Sequence, residues 1–137
     1  MATAGYSGTP LLRKLGIKEG MKVQLINAPD NYFKLLEADI SDQLVTDKSM
    51  PDLVHVFAKS YKEFEAGMKK LIPLCKTNPG IAIWVSWYKK SAGIITDITE
   101  DVIRNYALRN DLVDVKVCAV SDVWSGLKLV VPVKLRK

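Results

Sequence analysis

The sequence predicts an α/β fold: a three-layer Rossmann-like sandwich with a mostly parallel sheet of about five strands and a C-terminal antiparallel hairpin. Three observations lead there. Apolar runs of strand length alternate with amphipathic stretches of helical period, which indicates layers of helix on sheet. One of those runs, residues 81–86, is almost wholly apolar, as a strand covered on both faces should be. The last two strands are joined by a short loop, which favours an antiparallel hairpin, since a parallel return needs a crossover of a dozen residues or more.

The elements follow in order. Residues 9–16 read as a short helix, with Thr9 as N-cap, Pro10 at the first helical position and Gly16 as the stop. Gly20 leads into a strand over 21–27. A turn at Ala28, Pro29 and Asp30 follows, and Asp30 is placed to cap a helix over about 31–38. Leu44, Val45 and Thr46 suit a short edge strand. The next strand spans 53–58. Ser60 and Glu63 then form a capping box for a helix whose buried stripe is Tyr61, Phe64, Met68 and Leu71. Pro73 should end or kink that helix. Asn78, Pro79 and Gly80 make a turn into the third strand, 81–86, and a loop runs from Trp87 to Ile98. Thr99 caps a helix over about 100–109, with Ile98 and Ile103 at the hydrophobic-staple positions and Glu100 and Asp101 at the positive helix end. Strands over about 113–120 and 127–133 close the fold.

The chain of 137 residues fits one domain, large enough to bury a core without disulfides or metal. Residues 1–8 read as a flexible N-terminus and 134–137 as a basic tail. No apolar run approaches the roughly 18–20 residues that cross a bilayer, and the N-terminus lacks the regions of a signal peptide, so the expected location is cytoplasmic. The two cysteines, Cys75 and Cys118, are expected to be reduced and mostly buried. The net charge of +5 is concentrated at the end, in Lys134, Arg136 and Lys137. The remainder is nearly balanced, which speaks against nucleic-acid binding.

A ligand of an open α/β sheet sits beyond the carboxyl ends of the strands. After the first strand this rim is Asn27, Ala28, Pro29, Asp30 and Asn31. It has no glycine, its proline removes an N–H, and Asp30 adds negative charge, so nucleotide binding of the usual kind is disfavoured and no cofactor is expected. The rim after the third strand is richer. Lys89 and Lys90 follow Trp87 and Tyr88, and Ser91, Gly93, Thr96 and Thr99 lead to a helix N-terminus that can receive an anion. The competing expectation pairs both lysines with Asp97, Glu100 or Asp101 on the surface. The candidate ligand-binding residues are Asn27, Trp87, Lys89, Lys90, Thr96, Asp97 and Thr99. The single histidine, His55, lies mid-strand and reads as structural. One histidine and two separated cysteines make no usual zinc site. Ser86 stands in no nucleophile elbow, and no catalytic set emerges. Trp124 is expected under the last hairpin loop as a packing residue. An exposed Trp84, Trp87 or Trp124 would instead mark a partner or ligand surface.

Several segments resemble the bacterial domain-of-unknown-function family 3052. They are Tyr6 to Leu11 with Leu15, Gly16 and Ile17; Trp84 to Trp87 with Lys89 and Lys90; Thr96 to Val102; Leu112 to Asp114 with Lys116 to Val120; and Trp124 to Lys128. The family pattern has proline where this chain has Tyr88, and it brings no assigned activity. A second, architectural similarity is to the later half of S-adenosylmethionine-dependent methyltransferases, carried by the run from Asp52 through the final hairpin. It implies the strand order 1-2-3-5-4, with the last strand inserted antiparallel. A flavodoxin-like 2-1-3-4-5 is the alternative, and Pro132 fits the inserted strand only if it lies past the pairing.

The functional expectation is a non-catalytic Rossmann-like module that binds a protein partner or a small anionic ligand at the carboxyl edge. The alternative is an enzyme distantly similar to those methyltransferases, with a degenerate cofactor site.

Overall fold

A computed structural model describes residues 10–45 and 50–135. Its sheet contains β1 (Val23–Ile26), β2 (Leu53–Phe57), β3 (Ala82–Tyr88), β4 (Val113–Ala119) and β5 (Trp124–Val130) in the order β1-β2-β3-β5-β4. β1, β2 and β3 run parallel. β5 lies antiparallel between β3 and β4. The inserted-strand order therefore holds, and the flavodoxin-like alternative does not. Pro132 follows the last paired residue, Val130, so the ring deletes no ladder hydrogen bond.

Helices cover both faces. α3 (Tyr61–Thr77) and α4 (Glu100–Arg109) pack on one, where Phe64, Met68, Leu71, Ile103 and Ala107 meet Val54, Val56, Ile83, Val85, Leu127 and Leu129. α1 (Leu11–Leu15) and α2 (Tyr32–Leu36) lie on the other, where Leu11, Leu15, Tyr32 and Leu36 meet Val23, Leu53, Phe57 and Trp84. Alternation along β2 explains the division: Val54 and Val56 belong to the first core, Leu53 and Phe57 to the second. α3 reaches the sheet closely at Gly67, where a Cβ would stand 3.2 Å from Val56 Cγ1.

Local chemistry sets most boundaries. Ser60 Oγ accepts the Glu63 N–H at the start of α3, and Glu63 Oε1 accepts the Lys59 N–H. Thr99 Oγ1 accepts the Val102 N–H at the start of α4, with Ile98 and Ile103 buried as the staple. Gly16 ends α1 in the left-handed region, φ 77°.

Several expectations need correction. α3 continues through Pro73 to Thr77. The carbonyl that Pro73 leaves without its donor belongs to the exposed Lys69, where water can serve it, while Leu71 and Cys75 anchor the final turns in the core. Asp30 does not cap α2; Asn31 occupies that position without a side-chain cap. Pro10 stands at the N-cap position of α1, and Thr9 lies outside the described residues. The edge-strand expectation reduces to one parallel bridge, Leu44 to Val23, with Thr46 outside the described residues. β3 extends through Trp87 and Tyr88, and β5 begins at Trp124, because these residues pair across the two strands. Both tryptophans therefore lie in the sheet rather than in loops.

Candidate functional site

β3 ends with Trp87 and Tyr88 at the carboxyl edge, and the chain then turns through a 3-10 turn, Lys90–Ala92, before α4 begins. An open cleft of about 960 Å³ lies here, between the end of β3, the start of β5 and the N-terminus of α4. Its lining includes Trp87, Lys89, Lys90, Thr96, Thr99 and Ser125. This size is in the range of small-molecule sites.

Four hydrogen bonds shape the cleft. The Lys89 N–H donates to the Val123 carbonyl at 2.8 Å, tying the loop to the β4–β5 hairpin. Thr96 Oγ1 donates to the Lys59 carbonyl at 2.9 Å and accepts from the Ile98 N–H. Asp97 Oδ1 accepts the Tyr61 N–H at 2.7 Å, at the first turn of α3. The loop between β3 and α4 is thus fixed to the ends of β2, α3 and the hairpin. Within it Ile94 is half-exposed and Ile95 is 98% exposed.

The charges are partitioned. Arg104 holds Glu100 through one terminal nitrogen, Asp101 through the other at 2.8 Å, and Asp114 of β4 through Nε at 3.1 Å. Glu100, and after it Asp114, keep the guanidinium proton even more firmly than usual. Asp97 serves α3. Among the described residues no ion pair involves Lys89 or Lys90. The expected pairing of these lysines with Asp97, Glu100 or Asp101 is therefore not formed. The cleft is polarised, with ammonium groups on the β3 side and Arg104-held carboxylates on the α4 side.

Of the candidates from sequence, Trp87, Lys89, Lys90, Thr96 and Thr99 come together. Asp97 lies in the same loop but outside the lining, as a cap for α3. Asn27 stands apart, in the left-handed region (φ 58°) beyond β1, two strands away from β3 in the sheet. Sequence reasoning missed Arg104, although its spacing from Glu100 and Asp101 is that of helical ion pairs. It also missed Ser125, which only the insertion of β5 beside β3 brings to the cleft.

The other polar constellation lies in the core. Tyr32 Oη is 2.8 Å from His55 Nδ1, and His55 Nε2 is 2.7 Å from Ser86 Oγ. A serine, a histidine and an orienting hydroxyl in line suggest a nucleophile, yet His55 and Ser86 are fully buried and Tyr32 nearly so. Burial lowers the imidazole pKa to about 3 and raises that of the Tyr32 phenol. A base that weak cannot take a hydroxyl proton near neutral pH. The neutral imidazole donates to one neighbour and accepts from the other, satisfying three buried groups.

Cys75 is a buried free thiol with a pKa raised by burial to about 11. Trp84, Trp87 and Trp124 are all buried, so none marks an exposed surface. Trp124 packs edge-on to Phe57 and stacks on Tyr88 at 4.5 Å between centroids. Among the described residues no group of His, Cys, Asp and Glu is placed to hold a metal ion, and no helix is long and apolar enough to cross a membrane.

No family model matches this chain, and no curated protein does. Solved structures do match in fold. A protein of the NADB-Rossmann superfamily from Streptococcus agalactiae aligns over 89% of this chain and 68% of its own, with 9% identity and a TM-score of 0.51. Sp1610 of Streptococcus pneumoniae, described as a candidate tRNA (m1A22) methyltransferase, aligns over 85% of this chain and 66% of its own, with 8% identity and a TM-score of 0.52. A Listeria monocytogenes protein aligns over 92% and 69%, with 11% identity and a TM-score of 0.52. The chain thus spans about two thirds of each of these longer proteins. At such identities the likeness establishes the Rossmann-like fold alone.

Proposed function

We propose that this chain is a Rossmann-like binding module that takes a small anionic ligand with an apolar body into the cleft between β3 and α4. One observation carries the reading: Lys89 and Lys90 line that cleft without an ion pair among the described residues, while Arg104 engages Glu100 and Asp101. An anion would meet the two ammonium groups and the positive end of α4. The apolar part of the ligand would lie along Ile94 and Ile95, the exposed apolar side chains of the lining. Thermal-shift screening with phosphates, nucleotides and S-adenosylmethionine tests this, because a ligand that prefers the folded state raises the midpoint. A shift that Lys89→Ala with Lys90→Ala abolishes supports the cleft. No shift with any anion would move the assignment to a protein partner.

A second reading is favoured by the strand order. β5 inserted antiparallel beside β3 is the arrangement of the later half of S-adenosylmethionine-dependent methyltransferases, and one fold neighbour carries a methyltransferase description. On this reading the chain is a relative whose first turn, Asn27 to Asn31, has lost the glycines that admit the cofactor. A shift with S-adenosylmethionine that survives loss of both lysines would favour it.

A further inference from the structure

The face of the sheet that carries α1 holds a second concentration of positive charge, away from the cleft. Lys116 of β4 stands directly opposite Lys128 of β5. Lys128 is in turn opposite Trp84 of β3, which packs under α1, so both lysine side chains emerge on the α1 face. Lys14, at the end of α1, reaches the same place: it and Lys116 are the charges acting on the Cys118 thiol, and both draw its pKa down against the stronger upward effect of burial. Like charges directly opposite across two strands are destabilising. Among the described residues no ion pair involves Lys116 or Lys128. The nearest acid on β4, Asp114, is on the opposite face, bonded to Arg104 of α4. A register shift between Asp114 and Lys116 accounts for that. Two residues apart, they would share a face in a regular strand, and the bulge turns one of them over.

We infer that this α1–β4–β5 face binds the phosphate group of a small phosphorylated molecule. Lys116 and Lys128 supply compact charges with rotatable donors, which suit a tetrahedral dianion. The cross-strand positions on this face are Lys116, Lys128 and the buried Trp84, so they present charge without an exposed aromatic anchor, which argues for a small anion over a protein surface. Bound phosphate would also remove the repulsion between Lys116 and Lys128. The inference is independent of the cleft, which uses different lysines.

Cys118 reports on this face from within. With Cys75→Ser as background, its alkylation rates by anionic iodoacetate and by neutral iodoacetamide are measured and expressed as a ratio. The ratio is insensitive to the thiol's own ionisation and reads the local field. Pyrophosphate, with a dissociation constant of roughly 1 mM or below, should lower the ratio severalfold, and Lys116→Gln with Lys128→Gln should lower it beforehand and abolish the response. The effect should persist when Lys89 and Lys90 are replaced by alanine. An unchanged ratio in the Cys75→Ser protein, or an equal fall with sodium chloride at matched ionic strength, overturns the inference. Loss of the response in the Lys89→Ala, Lys90→Ala background would assign the anion to the cleft and also overturn it.

Discussion

Acidification should weaken this fold well above the range in which its carboxylates titrate, and His55 is the reason. The ring is sealed between Tyr32 and Ser86, and burial lowers its pKa to about 3. The unfolded chain holds its histidine near the ordinary value of about 6.5. Below that pH the unfolded state binds a proton that the folded state refuses. The stabilisation is therefore complete above about pH 6.5 and is lost progressively as the pH falls toward 3. Linkage over that shift gives a loss of about 2 kcal/mol between pH 7.5 and pH 5, and ~1.4 kcal/mol per further pH unit until the ring protonates in the folded state. For a domain of this length that first loss lowers the melting midpoint by roughly 8 °C. His55 is the chain's single histidine, so few other side chains titrate between pH 5 and 7. Urea unfolding at pH 7.5 and 5.0 measures the difference directly. His55→Gln keeps a polar group between Tyr32 and Ser86 without a titrating ring, and its loss over the same span should shrink to below about 0.5 kcal/mol. A wild-type loss that small, or a variant that keeps the full slope, would refute the assignment of a neutral, sealed imidazole.

Further outcomes follow from the contacts around the site and the sheet. Arg104→Met should leave Glu100 and Asp101 free to repel an anion, weakening ligand binding about tenfold in a titration at low salt; unchanged affinity would show that those carboxylates do not bear on the cleft. Gly126→Ala adds a Cβ 3.1 Å from Val120 Cγ2 and 3.3 Å from the Trp84 ring, and should cost about 1–3 kcal/mol in urea unfolding through overpacking. Trp84→Phe removes the indole N–H donated to the Leu15 carbonyl at 2.9 Å, and the same assay should show a loss of roughly 1–3 kcal/mol from the unsatisfied carbonyl and reduced packing. Cys75 should stay inert to neutral thiol reagents in the native protein at neutral pH, with Cys118 reacting first; faster modification of Cys75 would contradict its burial.

Much of the fold was legible because its cues are local. Ser60 with Glu63, and Thr99 with Ile98 and Ile103, each determine a helix start within a few residues. The strand order was legible through resemblance rather than pattern, since nothing in the spacing of 113–130 says that β5 enters between β3 and β4. The misplaced limits have the same origin. Trp87, Tyr88, Trp124 and Ser125 look like loop residues along the chain, and they become strand because they pair with one another. Pro73 misleads because its cost depends on whether water reaches one carbonyl, which tertiary packing decides. At the cleft the lysines and the capping threonine were visible from residue type and position. Their freedom from Glu100 and Asp101 was not, because it depends on Arg104 taking both carboxylates and on Asp97 turning to α3. Asn27 was grouped with them by a general rule about strand ends, and strand order places it elsewhere on the rim.

On the proposed function, an anionic ligand binds beyond β3, in the cleft lined by Lys89 and Lys90. The most direct measurement is the map of amide chemical-shift changes in the isotopically labelled chain as an anion that raises the melting midpoint is titrated in. The changes should gather from Trp87 to Asp101 and around Ser125, and should disappear with Lys89→Ala and Lys90→Ala. Changes gathered instead at residues 27–31, with residues 87–101 silent, would contradict the account and return the site to the first strand.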